Sequence, residues 1–561
     1  MNNIQDSKPL EALFSFIEKM FQIPISEKLR SRQFCLSFCF ACSVFALVIG
    51  LLCTQSGTGI SSDGTRYIIT AENIYHGNGF TDFANTEYSL WPPLYPLAIA
   101  GLMLFGVGAE EAARWIPILC YALAVFPLFF LCRISMRNIL ASYLVCLAYL
   151  AFTPFLWIST WALTDMIYIF FSLLAILFLT LYIRRQDSGN RMLALGGFFT
   201  ALANLTRFLG GVLLLIGLIA VVVRNVRFTT WDKESSTATV DIKLKRMIYQ
   251  AILYIVIGFL PIFIWELYHQ RGFSPGFTAP LTQVERVLRT LRQDFFNPVP
   301  DQLAYIMVAV IAVSFVLLIV YRKRMQIRKY LRANPLIISY LVIYPIALMI
   351  TTSVESTEPI STRYMSPVYP FVMLTIIPLA LYTYGQIGKP WLKTALLSAV
   401  TVMILLFVGF QADSSFDYYQ RAKPGQGLNS PEWVNEAGSI WMMNNAPADA
   451  TIYSNCAELL EFKLDRIVYL VPPPSDETHL QSFKDLAQVL GVTEYLMPDD
   501  EARIQEFFCE LKNNPGTFVI CIDDPIRTWR LSAEQVAEAN EEYDVLTLVA
   551  EYTTSTIWRV P

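Results

Sequence analysis

Residues 192–223 read MLALGGFFTALANLTRFLGGVLLLIGLIAVVV, from Met192 to Val223, and the way this stretch meets a membrane decides the topology of the whole chain. About 20 apolar residues cross a hydrocarbon core, so the stretch is too long for one upright helix. Asn204, Arg207 and the pair Gly210-Gly211 interrupt it. Arg184, Arg185 and Arg191 precede it, and Arg224 and Arg227 follow it. Basic loops stay cytoplasmic, which puts both flanks on one side and makes the stretch a hairpin of two short helices. Arg207 then lies at the outer bend, away from the mid-bilayer depth where a charge is most costly.

Working outward, nine further runs are long enough to span: Phe34–Cys53, Trp115–Cys132, Ile139–Trp157, Met166–Ile183, Met247–Tyr268, Leu303–Tyr321, Pro335–Thr352, Tyr364–Tyr384 and Leu392–Phe410. With the hairpin they predict a mainly α, polytopic membrane bundle of about eleven spanning helices. Composition agrees. The chain is 55% hydrophobic and 16% charged, against about 25% charged residues in soluble proteins. Its formal net charge of -4 offers no basic stripe for nucleic acid. The first run is too long for a signal-peptide core and lacks a small-residue cleavage site, so it reads as an uncleaved anchor.

Pro92 to Gly108 is apolar as well, but it opens on Pro92-Pro93 and contains Pro96. If it crossed, Arg133 and Arg137 would fall outside and every later basic loop would flip with them. It is therefore laid flat in the outer interface. Residues 1–33 become a cytoplasmic segment, 34–411 a transmembrane domain with a first outer loop at 54–114, and 412–561 an exported domain. Arg271, Arg286, Arg289 and Arg292 stay in an outer loop, so the charge rule acts as a bias. Trp157, Trp161 and Trp265 fall at outer ends, as an aromatic belt does.

After Phe410 polar residues become frequent, and the remaining roughly 150 residues suffice for one domain. Short β-like runs (Thr451–Tyr453, Ile467–Val471, Thr517–Ile522, Val545–Ala550, Ser555–Val560) alternate with helical ones near Leu480–Leu490, Ala502–Leu511 and Ala533–Ala539, which predicts a soluble α/β fold. Seven of the ten cysteines lie in apolar runs and read as packing; Cys456, Cys509 and Cys521 allow at most one disulfide.

Charges on the outer face are the candidates for chemistry. Asp63 lies in Ser61-Ser62-Asp63-Gly64-Thr65-Arg66-Tyr67 just beyond the first span, and Asp165 begins another helix after Trp161-Ala162-Leu163-Thr164. A loop carboxylate or a helix N-cap is the alternative reading of each. Arg207 and Arg363 each have snorkelling to lipid headgroups as their alternative. Together they place two carboxylates and two guanidiniums at one membrane surface, which suits a reaction that releases a lipid-embedded phosphate. His76, His269 and His479 show no ligand spacing, so no metal is expected to be required.

The ordered set Ser62-Asp63-Gly64 with Tyr67, Trp91-Pro92-Pro93-Leu94-Tyr95-Pro96, Phe105-Gly106, Ala113-Arg114, Thr164-Asp165, Leu205-Thr206-Arg207, and Arg363-Tyr364 with Pro367 resembles the GT-C glycosyltransferases, in particular the family of protein O-mannosyltransferases and the lipid A aminoarabinose transferase. The resemblance runs from about Ser62 to Pro370. It implies a polyprenyl-phosphate sugar donor, Asp63 as general base with Asp165 as its acidic partner, and Arg207, Arg363 and Tyr364 at the donor phosphate. It further implies Tyr67, Glu87, Trp91 and Tyr95 as substrate-site candidates and the Pro92-Pro93-Leu94-Tyr95-Pro96 segment as the family's interfacial helix. Where some relatives carry a basic residue before that proline, this chain has Trp91, which puts donor recognition in question. Metal use varies within the superfamily, so a divalent ion stays an option.

The function expected is inverting transfer of a sugar to an acceptor hydroxyl of a lipid, glycan or protein, at the outer face of the plasma (inner) membrane. A polytopic transporter is the main alternative; it would favour charges buried mid-helix and internal repeats, and neither is found. A non-catalytic cell-envelope assembly protein is the other.

Overall fold

Inside hydrocarbon each backbone N–H and C=O must be satisfied within its own segment, so apolar runs become helices. The computed structural model describes residues 31–136, 139–185, 189–228, 240–269, 278–296, 334–354, 359–385, 390–472, 500–523 and 530–561. Among these, seven helical stretches are long and apolar enough to cross a membrane: Arg32–Cys53, Ala109–Ser135, Asp165–Arg184, Phe208–Asn225, Leu244–Tyr268, Pro335–Val354 and Thr362–Leu381. The pair Ile139–Ala151 and Thr153–Ser159, bent by 60° at its break, makes an eighth when taken as one span. Pro154 stands in the first turn of the second piece, where it has no N–H to continue the ladder. Gly189–Asn204 is a shorter helix of 16 residues, and Pro390–Ala422 carries the last apolar run onward into the tail. The chain is thus a multi-pass membrane protein, for which eleven spans is an approximate figure. The expected span Leu303–Tyr321 and the expected tail helix Leu480–Leu490 lie outside the described residues.

The stretch 192–223 is a hairpin, and one buried amide shows it. Gln250, fully buried on Leu244–Tyr268, accepts hydrogen bonds from Tyr182 at 2.6 Å and Asn225 at 2.8 Å, and donates to Asn190 at 2.8 Å. Tyr182 lies at the end of Asp165–Arg184, Asn190 at the start of the first half-helix and Asn225 at the end of the second. Both free ends of the hairpin therefore share one depth, and Arg207 marks the turn at the other.

Leu94–Met103 has 10 residues, about 15 Å of helix against roughly 30 Å of hydrocarbon. It is too short to cross, in keeping with the flat placement. Leu104 and Phe105, 75% and 85% exposed, follow it.

The tail forms a five-stranded sheet in the order Tyr469–Leu470, Ile452–Ser454, Phe518–Ile522, Ser555–Arg559, Thr547–Glu551. The first three strands are parallel and the last two pair antiparallel. Phe507, Phe508 and Leu511 of helix Asp500–Lys512 and Val536 of helix Ala533–Tyr543 share a core with Val519, Cys521 and Trp558 of the sheet. Cys456 and Cys521 are buried, whereas Cys509 is exposed.

Sheet region and bundle meet at a backbone crossing. Gly59 pairs with Trp161 and Ile60 with Gly427. Gly427 has φ +58, and a β-carbon there would stand 2.0 Å from the Ile60 carbonyl oxygen, so only glycine fits. The crossing fixes the segments leading into Asp63 and Asp165 against each other. The first loop, the Trp161–Asp165 turn, the Arg207 bend and the segment before Arg363 thereby gather at the end of the bundle that carries the sheet. Trp161 and Trp265 are at this end too, but they face protein: the Trp161 indole donates to Gln426 at 2.9 Å, and Trp265 stacks on His269 with centroids 4.0 Å apart.

Candidate functional site

Asp63 is the second residue of helix Ser62–His76. Ser61, whose side chain accepts from the Gly64 N–H at 3.3 Å, is the cap, so Asp63 is left to other work. Asp165 opens its span after Thr164 and is likewise not the cap. Arg207 occupies the extended break between the half-helices, with φ -151 and ψ 136. Asn204 sustains that break by donating to the Gly258 carbonyl at 2.9 Å, and the Leu205 carbonyl accepts from Leu94 N–H at 2.9 Å, which joins the break to the interfacial helix. Arg363 lies in the turn Thr362–Met365. Thr362 anchors this turn by donating to Asp294 Oδ1 at 2.7 Å.

These four charges form a chain. The Asp165 Oδ1 oxygen accepts from Arg207 Nη1, and its Oδ2 accepts from Arg363 Nε at 2.9 Å. Arg363 Nη2 reaches Asp63 Oδ2 at 2.6 Å. Side-chain exposure is 0% for Asp165, 11% for Arg207, 13% for Arg363 and 21% for Asp63, so Asp63 is the member most open to a substrate. Neither arginine snorkels; each is held by a carboxylate. Tyr364 lies beside both guanidiniums, its ring centroid 5.3 Å from Arg207 and 5.9 Å from Arg363, a cation–π geometry.

Tyr67, one turn along from Asp63, is fully buried, and its hydroxyl has no hydrogen-bond partner among the described residues. Burial and then the Asp63 charge push its pKa up, so the group remains a protonated donor. Its ring meets Trp91 edge-on at 5.8 Å and Tyr95 at 5.2 Å. Trp91 therefore borders the cluster through Tyr67. Tyr95 is buried and gives its hydroxyl to the Ala113 carbonyl at 2.8 Å, which makes it a support under Tyr67. Glu87 stands apart, 61% exposed and paired with His269 Nδ1 at 2.9 Å.

Asp82 and Asp294 are among the partly or wholly buried carboxylates that sequence reasoning missed. Asp82 pairs with Arg66 at 2.9 Å. Asp294 accepts from Thr362 and Tyr369; burial pushes its carboxyl up to about 6, and those two donors work against the shift. A cleft of about 700 Å³ lies alongside, bordered by Trp157, Trp161, Asp294, Thr362, Gln426 and Trp433. No local motif marks any of this.

The description "dolichyl-phosphate-mannose-protein mannosyltransferase" belongs to a family model that matches residues 83–275. No curated protein matches the chain in sequence. Among solved structures, ArnT from Cupriavidus metallidurans in the apo state is 14% identical, with a TM-score of 0.55 over 92% of this chain and 97% of that one. ArnT bound to undecaprenyl phosphate is 15% identical, with a TM-score of 0.54 over the same shares of the two chains, 92% and 97%. AglB, the oligosaccharyltransferase of Archaeoglobus fulgidus in complex with an inhibitory peptide and a dolichol-phosphate, is 12% identical, with a TM-score of 0.53 over 87% of this chain and 69% of that one. At such identities the shared property is the fold.

Proposed function

We propose that this chain, whose fold is that of the GT-C glycosyltransferases, moves a sugar from a polyprenyl-phosphate donor to an acceptor hydroxyl at the membrane face that carries the C-terminal sheet. The observation that supports this best is the chain Arg207–Asp165–Arg363–Asp63, three of its members almost enclosed and Asp63 reachable. Asp63 takes the proton of the acceptor hydroxyl as its oxygen attacks the anomeric carbon. The bond from that carbon to the phosphate oxygen breaks, and its electron pair leaves with the lipid phosphate. Arg207 and Arg363 stabilise that charge, while Asp165 holds both guanidiniums in place. A single displacement inverts the anomeric centre. Tyr67 and Tyr364 offer a hydrogen-bond donor and an aromatic face beside the reacting groups. The carboxylates already have arginine counter-ions, so the reading requires no metal.

The test is release of free polyprenyl phosphate from purified polyprenyl-phosphate sugars by the purified protein, with a cell-envelope extract supplying the acceptor hydroxyl, in buffer containing EDTA. Turnover is expected. Arginine binds phosphate with a planar fork that lysine cannot reproduce, so Arg207→Lys and Arg363→Lys should each weaken donor affinity on the order of tenfold, about one charge-assisted hydrogen bond. Unchanged donor affinity in both variants removes the arginines from the donor site.

The same reading puts the sheet-bearing face outside the cytoplasm. In a cysteine-free background of the chain, Lys423→Cys should react with an impermeant thiol reagent in intact cells, and Lys245→Cys, on the opposite end of the bundle, should react only after permeabilisation. Both native lysines are exposed. The reverse pattern overturns the orientation.

A further inference from the structure

We infer that the C-terminal domain is part of the catalytic machinery, acting through Glu458 and Glu461 to position the helix that carries Asp63; this rests on Asp63 being the base of glycosyl transfer. Both glutamates lie on helix Ala457–Leu464, which follows the strand Ile452–Ser454 of the tail sheet. They are three residues apart and so share one helix face. Glu458 is 1% exposed and Glu461 9%. Such carboxylates are rarely buried without a definite partner, and here partners come from the first loop of the membrane domain.

Glu458 Oε1 accepts the Ser62 hydroxyl at 2.7 Å across 396 positions of sequence. Ser62 is the first residue of the helix and Asp63 the second, so a shift of Ser62 moves the base directly. Its Oδ2 oxygen must stay 2.6 Å from Arg363 Nη2, a geometry that tolerates little displacement.

The second glutamate grips the other side of the loop. Glu461 Oε2 accepts the Ala84 N–H at 2.9 Å and the Val468 N–H at 2.9 Å. Ala84 and Asn85 have φ +52 and +55, a left-handed conformation that residues with a β-carbon avoid unless the surroundings impose it. The turn they form follows Asp82, whose carboxylate binds Arg66 at 2.9 Å, and the Arg66 guanidinium lies 4.5 Å from the Phe83 ring centroid. Arg66 is one helical turn after Asp63 on the same helix. Glu458 therefore holds the helix at its first residue, and Glu461 holds it through the 82–85 turn and Arg66.

The decisive variants are Ser62→Ala, Glu458→Ala, their combination, and Glu458→Gln, each made in the full chain. Ser62→Ala removes the bond from the membrane-domain side with a strong helix former, so it decides the matter even if Glu458→Ala folds poorly. Each alanine variant should lower kcat on the order of tenfold, the scale of a small misplacement of a reacting group, with KM for the donor unchanged. The double variant should be no slower than the slower single, because both remove the same bond. Glu458→Gln keeps a carbonyl oxygen for the Ser62 hydroxyl and should restore kcat. Full kcat in Ser62→Ala, additive losses in the double variant, or no recovery with Glu458→Gln would each overturn the positioning role. A wild-type protein that transfers no sugar would instead overturn the glycosyl-transfer reading itself.

Discussion

Asp63→Asn is expected to lower turnover by about 10²–10⁴-fold, the usual worth of general-base assistance, while donor binding and thermal stability stay close to those of the wild type. Asparagine keeps the size of the side chain and an oxygen for Arg363 Nη2, but it cannot take a proton from a hydroxyl at neutral pH. Stability should hold because Asp63 is the most exposed of the four charges and because Ser61 caps its helix. The measurement is single-turnover transfer from a polyprenyl-phosphate sugar, with a melting curve recorded on the same preparation. A stable variant with near-normal turnover would return Asp63 to the role of a paired loop carboxylate.

Asp165→Ala should act on the opposite axis. This carboxylate is fully buried and serves two guanidiniums that are themselves 11% and 13% exposed. Its removal leaves those cations without their shared counter-ion at the membrane surface. Breaking a buried pair from one side costs about 3–5 kcal/mol, a large part of the stability of an ordinary domain. The expected outcome is a lower melting temperature or loss of folded protein on size-exclusion chromatography, accompanied by loss of turnover. A melting temperature equal to that of the wild type would mean that the arginines do not depend on Asp165.

The contrast between these two aspartates was partly legible in the sequence. Each could be singled out as a carboxylate at an outer helix start, and each had capping as its simpler explanation; in the structure Ser61 makes the cap before Asp63, and Asp165 lies inside its helix after the N-cap position of Thr164. The Arg207 bend was legible because hydrophobic length and flanking charge act locally, as was the short helix after Pro92-Pro93. The five tail strands were visible as alternating apolar runs for the same reason. Pairings were not. Asp165 meets Arg207 across 42 positions and Arg363 across 198, and such contacts leave no periodic or compositional mark on either segment. Asp294 sat unnoticed among outer-loop residues because its burial comes from Thr362 and Tyr369, 68 and 75 positions away. Glu458 and Glu461 belong to no motif that the sequence offers, because their partners Ser62 and Ala84 lie 396 and 377 positions away. Tyr95 and Glu87, both substrate-site candidates through the family resemblance, have partners that the resemblance does not show: Tyr95 donates to the Ala113 carbonyl and Glu87 pairs with His269.

The separation of 42 positions between Asp165 and Arg207 also bears on how the chain is made. Ribosomal synthesis delivers Asp165 first, at the head of a complete span, and only afterwards the half-helix that must bring a guanidinium to the far side of the bilayer. In chain order the carboxylate precedes the arginine it pairs with, and Gln250, which ties the hairpin's two ends together, follows both. In the folded protein the hairpin that carries Arg207 thus has its counter-ion inside the bundle, which spares the guanidinium a lone position at the membrane surface.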